Sequence, residues 1–281
     1  MIVFVYDTET TGLEPEAHRI IQHGVVAYDI VHRKAVDFLS ILVWGPDYPA
    51  VAESKKVHGW EKGLLEKYAT TNYKALSLLS DFYSKYHPIA VAAHNAKFDF
   101  NMLAAEAKRY AAHWKKENDF ECEVVYESPL QKLPWIDTVA FPYDSPSKNL
   151  LTLCAAHGFL NPFPHNALFD AVSLCRILDN YPFQRFVDIA AEPQMLVFAR
   201  VPQDYDLERN AVLKSHGFRW KEFNGHVYPK SWIQVIPSSK FAELGSRCPF
   251  PVNLIKELPV EEKILKLKAR LDSYFEPVEA T

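Results

Sequence analysis

Four carboxylates and one imidazole stand out along this chain: Asp7, Glu9, Asp99 and Asp170, with His165 five residues before the last. They lie in short pieces met in one order. Asp7-Thr8-Glu9 comes first, then His94-Asn-Ala-Lys-Phe-Asp99, then Asp137-Thr138, then His165-x4-Asp170. Oxygen-only ligands favour Mg²⁺ or Mn²⁺, and a pair of such ions can activate an attacking water and stabilise a leaving oxygen at a phosphodiester. A histidine beside them adds a proton acceptor whose ordinary pKa lies near working pH.

Each piece also has an ordinary reading. Asp7 and Glu9, two apart on a strand, share a face and repel unless a cation sits between them; alone, they could be a surface pair. Asp99 could be an acid complementing a helix N-terminus, and His94 and Asn95 could be turn residues. Asp137-Thr138 reads as a capping arrangement. His165 sits in a Pro-bounded loop and Asp170 within the next helix. Taken together, the acids and the histidine fall at strand ends and helix starts, where α/β folds place their sites. Gly12 allows a sharp turn that exposes backbone amides to a ligand.

The elements that must position these groups follow from periodicity and punctuation. Ile2–Thr8 reads as a central strand, and Ile20–Asp29 with Lys34–Val43 as an antiparallel hairpin. Residues 44–72 read as loop with short helices. Helical spacing covers Tyr73–Tyr86, Phe98–Trp114, Asn149–His157 and Ala167–Asn180, with short strands at Pro88–Ala93 and Trp135–Asp137. Residues 115–134 look irregular, and Ala190-Ala-Glu-Pro193 is a breaker. These alternations predict a layered α/β domain over residues 1–190. Beyond it, residues 198–281 predict a small α+β domain. Its elements are a helix over Leu207–His216, two strands flanking Asn224-Gly225, and a terminal helix over Val260–Phe275.

Composition bounds the class. The chain has 281 residues, 48% hydrophobic and 23% charged, ordinary for a soluble protein. No apolar stretch reaches membrane-spanning length, so no membrane partner is expected. MIVFVY lacks a basic flank and a cleavage site, and reads as a core strand. Four cysteines without a CxxC pair fit a reducing, cytoplasmic setting. Net charge is −4, divided as −6 over residues 1–197 and +2 over 198–281. Gripping a few nucleotides at a chain end needs less positive surface than wrapping a duplex.

DTETTG, HNAKFD, IDT and HNALFD resemble the motifs of the DnaQ-like DEDDh family of 3′→5′ exonucleases over roughly residues 1–182. The resemblance implies a ribonuclease-H-like mixed sheet flanked by helices, and release of nucleoside 5′-monophosphates from a 3′ end. It implies that Asp7, Glu9 and Asp170 coordinate one of two metal ions. Asp7 would reach the second, supported by Asp99, and His165 would take the proton of the attacking water. Thr10 and the backbone of Thr11, Gly12 and Leu13 would hold the terminal nucleotide, with His58, Asn95 and Phe98 also at the substrate. Implied partners are nucleic acid with a free, single-stranded 3′ end and a polymerase or other replication or repair protein. One departure is Gln22, where relatives often carry an acid.

Gly217-Phe-Arg-Trp220 and Pro229-Lys-Ser-Trp232 are similar to a small accessory domain of some exodeoxyribonuclease-X-like and phage exonucleases. Two readings of this segment are open. Lys214, Arg219, Trp220, Lys221, Lys230 and Trp232 form a basic stacking surface for nucleic acid, or the two tryptophans are the core of a tiny domain.

Overall fold

The computed structural model describes residues 1–49, 54–118, 125–141, 143–201, 207–222 and 230–257. The opening apolar run forms β1 (Ile2–Thr10). Its side chains alternate between two cores: Val3 and Val5 face one, Phe4 and Tyr6 the other. A strand apolar on both faces must be covered on both. β2 (Ile20–Asp29) and β3 (Lys34–Leu42) pair antiparallel beside it. α1 (Lys55–His58), α2 (Lys62–Tyr68) and α3 (Asn72–Tyr86) follow, the last capped by the Thr71 hydroxyl.

β4 (Val91–Ala93) pairs parallel with β1, and β5 (Trp135–Asp137) parallel with β4, with α4 (Ala96–Glu117) between them in sequence. The order β3-β2-β1-β4-β5 makes the mixed sheet that the family resemblance implies. α5 (Leu150–Ala156), α6 (Ala167–Leu178) and α7 (Phe183–Ala191) complete this part. α6 and α7 pack on the Val3 face, and α3 and α4 on the Phe4 face.

The remaining described residues build a second sheet, ordered β7-β8-β6-β9. Its elements are β6 (Gln194–Ala199), α8 (Leu207–Ser215), β7 (Arg219–Glu222), β8 (Lys230–Pro237), α9 (Phe241–Arg247) and β9 (Val252–Glu257). The expected hairpin is present, with Trp220 opposite Trp232. Its Asn224-Gly225 turn and the helix over Val260–Phe275 lie outside the described residues.

Several elements correct the sequence reading. α4 begins at Ala96 and continues to Glu117, into the stretch read as irregular. α7 occupies residues read as having no element, and β6 starts directly after Pro193. Proline there is tolerated because its carbonyl still accepts from the Ser238 N–H at 2.9 Å. β6 and β9 are short, and their pairing partners lie far away in sequence, so local periodicity alone does not reveal them. Among the described residues, no helix is long and apolar enough to cross a membrane.

Candidate active site

Asp7 and Glu9 project from the C-terminal half of β1 toward α6, whose first turn carries Asp170. Carboxylate oxygens of the three lie within 4.8 Å of one another. The helix can come this close because residue 24, the β2 partner of Asp7, is glycine. A Cβ there would stand 2.2 Å from the Ala167 carbonyl carbon and 2.3 Å from the Leu168 nitrogen, both backbone atoms. Glycine inside a buried strand is a mark of close backbone approach. Gly24→Ala will therefore lift α6 off the sheet, costing roughly 1–3 kcal/mol of stability as an overpacked site does. Turnover will fall as Asp170 leaves Asp7 and Glu9. Urea denaturation alongside a nuclease assay measures both, and unchanged values would contradict this packing.

Asp99, also expected in this set, is not among the three converging carboxylates. It sits in the first turn of α4, 2% exposed, and accepts from the Thr8 hydroxyl at 2.7 Å. The Asp137 carboxylate accepts from the Asn95 and Val139 N–H groups, each at 3.1 Å, so its capping reading holds. His94 has both ring nitrogens engaged, one by the Thr138 hydroxyl at 2.9 Å and one by the Lys148 carbonyl at 2.6 Å. It is a turn residue, as its ordinary reading has it. Asn95 is exposed with φ 77°, and Phe98 is half-buried one residue before Asp99.

His165 has φ 60°, a conformation in which histidine is enriched among non-glycine residues. Its own N–H donates to Asp170 Oδ2 at 3.1 Å, which fastens the loop to the acid cluster. Asn161 donates to the other Asp170 oxygen while accepting from the Phe163 N–H at 3.0 Å. His58 accepts the Trp60 N–H at 2.9 Å and lies against the Thr10 backbone; burial lowers its pKa to about 4.

At the end of β1, the Thr10 hydroxyl donates to the Gly12 carbonyl at 2.7 Å, and the Thr11 hydroxyl accepts from the Arg19 N–H at 2.9 Å. Leu13 is 75% exposed at the tip of this turn. Arg19 also donates to the buried Glu106 of α4 at 2.8 and 3.1 Å, and Glu106 accepts from Arg109 at 3.1 Å. Arg109 in turn donates to the Pro15 carbonyl. This buried ion cluster joins the turn after β1 to the helix that carries Asp99.

Burial dominates the electrostatics, and the crowding of acids adds to it. Burial, then the charges of Asp99, Glu9 and Asp170, hold the Asp7 carboxyl well above the usual range. Burial and the charges of Asp170 and Asp99 push Glu9 up to about 8. Burial raises Asp99 to about 7 against the pull of the Thr8 hydrogen bond. It raises Asp170 to about 6 against the pull of His165. All-oxygen donors converging under such repulsion fit hard divalent cations, which neutralise them.

These acids bind protons more tightly folded than unfolded, so stability is full below about pH 4 and is lost as pH rises through 6, 7 and 8. In EDTA the Tm will fall between pH 5 and pH 8.5. Added Mn²⁺ will raise it more at pH 8.5 than at pH 5. Thermal melts of the wild type and of Asp7→Asn separate this cluster from other titrating groups; parallel pH profiles for the two would contradict it.

Gln22, Gly24 and Asn161 support the site without appearing in the sequence reading as support. A glycine within a β-rich run was the available signal for Gly24. Gln22 was visible as a departure from a family pattern, and nothing in spacing pointed to Asn161.

The exonuclease family model RNase_T matches residues 4–178, from β1 to the last residue of α6. DNA polymerase III subunit epsilon of Treponema pallidum (strain Nichols) is 32% identical over 101 residues. That match takes in 36% of this chain and 44% of the relative's length. Among solved structures, exonuclease I superposes with a TM-score of 0.55 at 11% identity, over 96% of this chain and 73% of that one. The nuclease domain of 3′hExo, a DEDDh family member bound to rAMP, gives a TM-score of 0.51 at 15% identity. It covers 66% of this chain and 94% of that one. At these identities the structural likeness is one of fold. Matched through every element that carries an acid of the cluster, the chain belongs to the DnaQ-like exonuclease family.

Proposed function

We propose that this protein is a 3′→5′ exonuclease using two Mg²⁺ or Mn²⁺ ions, releasing nucleoside 5′-monophosphates from single-stranded 3′ ends. The observation that carries the reading is the convergence of Asp7, Glu9 and Asp170 within 4.8 Å, beside a histidine loop tied to the same cluster. Bound there, the ions supply positive charge at the scissile phosphate and ease deprotonation of water. Asp7, Glu9 and Asp170 hold them, and Asp99, oriented by Thr8, supports that set. His165 accepts the proton of the attacking water. Thr10, Thr11, Gly12 and Leu13 grip the terminal nucleotide at the end of β1, with His58, Asn95 and Phe98 at the rim.

The test is incubation of 5′-labelled single-stranded DNA, duplex DNA and short RNA with Mg²⁺ or Mn²⁺, and again with EDTA. Stepwise shortening with mononucleotide release is expected in metal and none in EDTA. Intact substrate in all three metal reactions overturns the reading. The likeness to the epsilon subunit favours a second role, proofreading beside a polymerase; co-purification with a polymerase is its test. The cytoplasm suits the buried free thiols of Cys154, Cys175 and Cys248.

Residues 198–281, whose sheet β6 joins, are read as an accessory unit that grips longer strands. Its tryptophans have divided roles. Trp232 is 7% exposed in the core, whereas Trp220 is 53% exposed on an edge strand, their rings 5.6 Å apart. Trp220→Ala will weaken binding of a long single strand by about tenfold, the worth of one stacked base. Cleavage of a dinucleotide will stay unchanged. Equal affinity for long strands in fluorescence titrations would remove the stacking role.

A further inference from the structure

We propose that Gln22 is a positioning residue, its carboxamide locking the His165-Asn166-Ala167 turn to β2 and to Trp60. The inference rests on the nuclease reading above. Gln22 is 2% exposed and lies directly across from Glu9 in the β1–β2 register. Its oxygen accepts from the Ala167 N–H at 3.1 Å and from the Trp60 indole N–H at 3.2 Å. Both partners can only donate, so the identity of that atom as oxygen is settled by chemistry. Its nitrogen must then be the group that faces the Ser40 hydroxyl at 3.1 Å and Asn166 Oδ1 at 3.2 Å.

Four hydrogen bonds on one buried amide satisfy it completely, and three elements meet there: β3, the segment after α1, and the start of α6. Asn166 and Ala167 directly follow His165, so the clamp holds the backbone that aims the imidazole. An amide does this without adding a charge opposite Glu9, where a carboxylate would repel it.

Three measurements test this. Gln22→Met keeps length and volume but removes every bond. Its kcat on thymidine 5′-(p-nitrophenyl phosphate) will fall by about 10- to 100-fold, as loss of a group supporting a functional side chain does. KM and Mn²⁺ affinity from calorimetry will stay within about twofold of wild type, because no group that touches substrate or metal is removed. Amide hydrogen exchange across residues 161–170 will quicken while that of α4 stays unchanged. Gln22→Glu keeps the oxygen for Trp60 and Ala167, and Asn166 can turn its amide nitrogen toward the second oxygen. It will therefore recover part of the kcat lost in Gln22→Met, short of wild type because its charge stands opposite Glu9.

Wild-type kcat or unchanged exchange in Gln22→Met overturns the proposal. So does a kcat loss matched by lost Mn²⁺ affinity. If Gln22→Met does not fold, Trp60→Phe removes one bond and is expected to lower kcat by about threefold and quicken the same exchange; no change there also overturns it. A wild-type protein without turnover overturns the nuclease reading, and the exchange measurement then still decides whether Gln22 clamps the turn.

Discussion

Asp7→Ala will bring turnover to background in Mg²⁺ or Mn²⁺ while leaving the protein folded. Asp7 stands at the centre of the acid cluster, its carboxyl raised by burial and by three neighbouring acids. Removing it takes away a metal ligand, and metal-ion catalysis contributes several kcal/mol to a phosphodiester transition state. At about tenfold per 1.4 kcal/mol, that is a loss of roughly 10³-fold or more. Asp170→Ala will behave alike, since its oxygens complete the same 4.8 Å group. A second signature separates this from simple damage. In EDTA at pH 8, Asp7→Ala will melt at or above the wild-type temperature, because one crowded carboxylate has gone. Rates on a labelled single strand, calorimetric Mn²⁺ titration and melting curves check all three statements. Wild-type rates, or a large drop in Tm in EDTA, would refute the ligand role.

His165→Ala will lower kcat by roughly 10²–10⁴-fold, the span ordinary for a lost general base, with Mn²⁺ affinity nearly unchanged. The backbone N–H of His165 ties the loop to the acid cluster, so truncating the side chain leaves that link to Asp170 in place. The backbone at φ 60° complicates the alanine variant, because alanine resists the left-handed region. Asparagine accepts that region more readily, so His165→Asn isolates the chemistry from the strain. Equal losses in both variants are expected. If asparagine restores the rate, the residue matters for loop shape and not for proton transfer.

Much of this protein was determined by its sequence alone. The alternation of Val3 and Val5 with Phe4 and Tyr6 makes β1 a strand covered on both faces, whatever packs there. The same two-residue period brings Asp7 and Glu9 to one face. The helices that carry Asp99 and Asp170 show in the sequence through the spacing of their apolar residues, which is a local signal. The layered α/β class and the order of acid-bearing elements follow from such short-range signals, and the mixed sheet and the family from the resemblance of the motifs.

Contacts between residues far apart in the chain lay beyond that reach. β6 and β9 are read as strands only once they pair across the second sheet, since β-structure is stabilised by neighbours that sequence spacing does not name. The division of Trp220 from Trp232 depends on which strand becomes the edge. The placing of Asp99 behind Asp7 depends on where the first turn of α4 meets Thr8, 91 residues away. Gly24 beneath Ala167 and Gln22 beside Asn166 work across more than 140 residues of chain. Which carboxylates converge is thus a property of how α6 lies on β2, and only tertiary packing sets that distance.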